Sequence, residues 1–189
     1  MTRSHLLVAV AAAVLAFPLS ALAADADPAL DAFRTLCADT GADFPAVVKA
    51  AAADGWTDAE VMADDLPGVS VTDKAARSKG KGTDEITLRA TRGLRTVKTG
   101  DITVSTCTVR GDNSPPGLLD RVQAWLNMAA MSTDKDSGKA SYLLTYDGKT
   151  RTVLAQADID AAVGKGGAHL LKFKQDGTSE ILDYERFSK

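Results

Sequence analysis

"AHLLKFKQDGTSEILDYERF", residues 168–187, reads as two strands folded back on each other. The alternating segment "AHLLKF" runs into Asp176 and Gly177, a pair suited to the left-handed backbone of a tight hairpin. "SYLLTYDGKTRTVLAQ", residues 141–156, repeats the pattern around Asp147 and Gly148. Further upstream, "EITLRAT" alternates Ile86, Leu88 and Ala90 with Thr87, Arg89 and Thr91, and "DITVSTCTV", residues 101–109, is rich in β-branched residues. Thr99, Gly100 and Asp101 supply the turn between these two. Hairpins in succession imply an antiparallel sheet, because a tight turn cannot join parallel strands.

Helical spacing dominates the other segments. Asp27 is placed to cap a helix that has Pro28 at its first position and Leu30, Phe33, Leu36 and Cys37 on one face. Gly41 ends it, and Pro45 opens a second helix with Val47, Val48, Ala51 and Ala52 on one side, closed by Gly55 and Trp56. "TDAE", residues 57–60, has the form of a capping box and predicts one more short helix. In "NSPPGLLDRVQAWLNMAA", residues 113–130, a helix is expected to start at Ser114. Leu118, Leu119, Val122, Trp125, Leu126 and Ala129 make its apolar face. The fold class expected is α+β: N-terminal helices and one internal helix packed on one side of an antiparallel sheet of about five to six strands.

Between these regions, residues 66–84 contain Pro67, Gly68, Gly80 and Gly82 and no clear periodicity, so a long loop is expected. Lys74, Arg77, Lys79 and Lys81 give it a local positive charge, a candidate contact for an acidic partner or an anionic envelope surface.

The chain has 189 residues and a formal charge of −3. Arg3, the apolar run of residues 6–17 and the small residues of "ALAA" at 21–24 have the layout of a bacterial signal peptide cleaved after Ala23. Residues 24–189 are then a single domain, periplasmic or secreted. The apolar run is short for a membrane span and no comparable run follows, so no transmembrane anchor is expected after signal removal. An acidic balance argues against a nucleic-acid partner. In an oxidising compartment the two cysteines, Cys37 and Cys107, are expected to form one disulfide that ties the first helix to the sheet.

Short motifs do not assemble into a catalytic centre. "DTGA", residues 39–42, resembles the aspartic-protease signature, but it lies between helices, and no second copy offers a partner carboxylate. "KTG" at 98–100 and "STDK" at 132–135 stand in the wrong order for a penicillin-binding enzyme. "DKDSG", residues 134–138, has its glycine one place early for a calcium loop, and "GKGGAH" has the spacing of no phosphate loop. His169 is the only histidine beyond the signal segment, and it sits in a strand. No catalytic, metal or cofactor-binding residue is therefore assigned. The function expected is a non-catalytic binding or accessory protein acting on a protein or cell-envelope partner, the alternative being a small hydrolase that uses carboxylates or His169.

Overall fold

The computed structural model describes residues 26–60, 66–98, 100–165 and 167–189. The expected signal peptide, residues 1–23, lies outside them. α1 (Pro28–Ala32) starts where the Asp27 side chain accepts the Leu30 N–H at 2.9 Å, and passes without a break into a π-helical segment, Phe33–Ala38. Gly41 (φ +61°) and Ala42 (φ +55°) turn the chain, and the Ala42 N–H returns to the Cys37 carbonyl at 2.8 Å. Asp43 then caps α2 (Phe44–Ala53). The "DTGA" stretch is thus a helix end, as its flanking pattern implied.

Nine antiparallel strands follow among the described residues. They are β1 (Thr57–Asp58), β2 (Ser70–Lys79), β3 (Ile86–Val97), β4 (Gly100–Gly111), β5 (Ser132–Asp134), β6 (Lys139–Tyr146), β7 (Arg151–Val153), β8 (Ala168–Asp176) and β9 (Ser179–Ser188). Their order is β1-β2-β3-β4-β9-β8-β6. β5 and β7 lie end to end along the outer side of β6, against residues 139–141 and 144–146. α3 (Leu118–Leu126) leads from β4 to the β5–β6 hairpin, and α4 (Ile159–Gly164) leads from β7 to β8.

The α+β class holds, with four corrections. The strand count exceeds five to six because β1 and β5, of two and three residues, are too short to show a period, and because β2 falls where a loop is expected. Residues 66–84 are not one long loop: β2 occupies 70–79 and pairs with β3 along nearly its whole length. "TDAE" begins a strand, Thr57 and Asp58 pairing with Ser78 and Arg77, so sheet hydrogen bonds override the local capping pattern. α3 starts at Leu118 after a left-handed Gly117 (φ +85°), while Ser114 stays buried outside the helix, its N–H bonded to the Thr178 carbonyl.

Strand alternation sorts the side chains onto two faces. One face carries Leu88, Ala90, Cys107, Val109, Tyr142, Phe173, Leu182 and Tyr184, and α1, the π segment, α2 and α3 pack on it. Phe33 inserts between Phe173 (5.4 Å, edge to face) and Trp125 (6.1 Å), and Tyr142 stacks edge-on to Phe173 at 5.8 Å. Cys37 and Cys107 are bonded here, fully buried, with their Cα atoms 5.5 Å apart. α1 approaches closely because Gly111 lacks a side chain: a Cβ there would come within 2.9 Å of the Ala29 Cβ. The expected helical cover is present on this face, and the opposite face is not bare. α4, unseen in the sequence because it has only six residues, sits across one end of it on Ile102, Val104 and Ala168.

Candidate functional site: a cleft on the uncovered face

The four cations singled out in the sequence do not gather into a patch. On β2, Lys74 and Arg77 are an odd number of residues apart, so the pleat sends them to opposite faces. Arg77 is ion-paired with Asp58, and Lys79 is 2.9 Å from the Asp54 carboxylate. Lys81 stands in the β2–β3 connection. Of these four, Lys74 and Lys81 have no ion pair among the described residues.

The face away from the helices has a polar half and an apolar half. Its polar half is a lattice of cross-strand pairs. The Thr91 and Thr106 hydroxyls are 2.6 Å apart, Thr108 donates to Asp183 at 2.7 Å, and Lys172 pairs with Glu185. Burial raises the Asp183 carboxyl, with the Thr108 hydrogen bond acting against that shift.

The apolar half lies beside α4. There, a cleft of about 450 Å³ runs between the β3–β4 hairpin and the helix. Val97, Ile102, Leu143, Ile159, Leu170 and Phe187 form its walls, and Met131, 49% exposed, stands at its mouth. Arg95, Lys98 and Lys189 are the cations along it, and Asp160 the one acid. A readable signal for this region did exist. Leu143–Leu144 and Leu170–Leu171 are adjacent apolar pairs that break the alternation, and Leu143 and Leu170 are cross-strand partners. Two leucines in succession on neighbouring strands require apolar surroundings on both faces.

His169 lies on the helix-covered side. It is 3% exposed, its Nδ1 is 3.1 Å from the Tyr184 hydroxyl, and Tyr146 packs edge-on to its ring. Burial first, then the charges of Arg186 and Arg151, lower its pKa to about 4. Asp39 and Asp43 stand 3.8 and 3.9 Å from those arginines. At the other end of the same face, Glu180 is fully buried beside the Asp27–Arg121 pair, whose closest N···O distance is 2.7 Å. Arg121 reaches Glu180 only at 3.7 Å. One guanidinium cannot neutralise two buried carboxylates, so burial and the nearby Asp27 push Glu180 up to about 8.

Among the described residues, no group of three or more His, Cys, Asp or Glu side chains is placed to hold a metal, and no helix is long and apolar enough to cross a membrane. No family model matches the chain, and neither the curated proteins nor the solved structures contain a match to it.

Proposed function

We propose that this chain is an exported, non-catalytic binding protein that acts on a protein or cell-envelope partner through the face of its sheet that carries α4. The observation that carries this reading is the apolar cleft beside α4, set in an otherwise polar face and open at Met131. Concave apolar surface with a few polar groups around it is the usual form of a binding site. Export is supported by the layout of residues 1–24 and by the Cys37–Cys107 bond, which suits an oxidising space.

The hydrolase alternative gains little from the geometry. A general base works best with a pKa near the operating pH and within reach of the substrate proton. His169 is buried, and its pKa is held near 4. Glu180 has a pKa suited to acid–base work, but it is enclosed beneath α1 and bordered by Gly111, Ser114 and Arg121.

The test pairs two measurements. A photo-crosslinking residue at Met131, in cells exporting the protein, is expected to capture an envelope component, while one at Glu60 on the far side of the sheet order is not. A broad hydrolase screen of the purified protein is expected to show no turnover. Turnover abolished by a single carboxylate substitution or by His169→Ala, with nothing captured at Met131, overturns the proposal.

A further inference from the structure

We propose that the cleft beside α4 binds a single-chain fatty acid, its alkyl chain along the apolar walls and its carboxylate among Arg95, Lys98 and Lys189. The inference rests on the binding-protein reading and names the ligand class for the same site.

The apolar side chains here exceed what the main core requires. The helix-covered face already buries the disulfide, the aromatic cluster and most of the leucines. A second, smaller cluster of Ile102, Val104, Ala162, Val163 and Ala168 seats α4 on the opposite face. Phe187 packs against that seat, Leu170 and Met131 extend beyond it, and all three remain partly accessible. Apolar surface lining a concavity gains free energy when an alkyl chain replaces water there.

Charge selects the head group. The cleft carries the side-chain cations of Arg95, Lys98 and Lys189 against Asp160 and the α-carboxylate of Lys189, a net positive lining in a chain whose overall charge is negative. That local reversal favours an anion, and a carboxylate can accept hydrogen bonds from an arginine and a lysine together. The volume, about 450 Å³, is in the lower part of the range for single small ligands. It suits one chain, and a two-chain lipid would leave its second chain in water.

Calorimetric titration of the disulfide-bonded exported protein tests this, with octanoate, dodecanoate and hexadecanoate below their micelle concentrations. Dodecyltrimethylammonium, which has the same chain length as dodecanoate and the opposite charge, is the control. Affinity is expected to rise by about tenfold for each pair of added methylenes until the cleft is full. Dodecanoate is expected to exceed its cationic counterpart by about tenfold at low salt. The double variant Arg95→Glu, Lys98→Glu should reverse the head-group preference, toward dodecyltrimethylammonium, while keeping the chain-length series. Leu170→Glu is expected to abolish binding, and Met131→Glu, at an exposed position that leaves folding intact, should weaken dodecanoate binding by at least about fivefold.

Equal binding of both head groups overturns the inference. So does affinity independent of chain length, or binding only to vesicles of a two-chain anionic lipid. If crosslinking at Met131 captures a protein while no fatty acid binds, the inference fails and the binding-protein reading stands. If fatty acid binds and an ester substrate is also turned over, the site stands and the non-catalytic reading fails.

Discussion

Lys172 and Phe173 are consecutive residues on β8 with opposite circumstances. Phe173 points into the helix-covered face and touches Phe33, Trp125 and Tyr142. Lys172 points to the other face and is paired with Glu185 in partial contact with water. The covered face holds the fold together, through burial and a covalent bond. Its polar counterpart contributes little energy per contact and is therefore freer to vary with what it meets. The same strands serve both, so the two roles can be separated by substituting neighbours.

The largest contrast is expected from that adjacent pair. Phe173→Ala should cost about 3–5 kcal/mol, because the surrounding rings cannot collapse into the space. Lys172→Ala should cost less than about 1 kcal/mol. Urea unfolding of both variants checks this, and a Lys172 effect as large as that of Phe173 would break the distinction between faces. Next, Cys37→Ala with Cys107→Ala should lower stability by about 2–4 kcal/mol through the unfolded chain, the bond closing a separation of 70 residues. Fatty-acid affinity of the folded fraction should stay unchanged.

Two buried ionisable groups divide the covered face by pH. Unfolded Glu180 gives up its proton near 4.5, whereas in the folded protein it keeps it to about 8, facing Asp27, Arg121 and Ser114. Its contribution is therefore full below pH 4.5 and lost as pH climbs to about 8. Glu180→Gln should remove that decline, and above pH 8 it should be the more stable protein, by on the order of 3 kcal/mol. His169 acts in the opposite sense. Unfolded it accepts a proton near 6.5, but among Arg151, Arg186, Tyr146 and Tyr184 it resists to about 4. Its contribution is full above pH 6.5 and declines as pH falls toward 4. His169→Gln should flatten that acid limb by on the order of 2 kcal/mol, read from thermal melts across the range.

What could be read from the sequence follows the same division. Segments with one dry face and one wet face declared themselves: α1, α2, most of α3 and the β3–β4 pair have a clean apolar period, and Asp-Gly turns mark the two later hairpins. β2 did not, because "SVTDKAARSK" buries only Ala76 and gains its order from backbone pairing with β3. Nothing apolar marks such a strand, and the prolines and glycines flanking it pointed to a loop. The cleft was overlooked for the opposite reason. Leu143 and Leu170 were absorbed into strands whose helix-facing residues already accounted for the fold. α4, which makes the other wall, is too short to show a helical stripe. The disulfide was legible because two cysteines leave a single pairing.

The nine-stranded order ends in very short strands on both sides: β1, of two residues, at one rim, and β5 and β7, of three each, at the other. At the β6 rim an incoming chain would find only brief ladders, whereas at the other rim β1 covers just Arg77 and Ser78 of the ten-residue β2. Such a chain would also meet the charges of Asp58 and Asp134 on the short strands. A sheet this wide would otherwise be a template for growth in two directions. The stubs shorten the free edge at the β6 rim, and at the other rim Asp73, Lys74 and Arg77 put charge along β2.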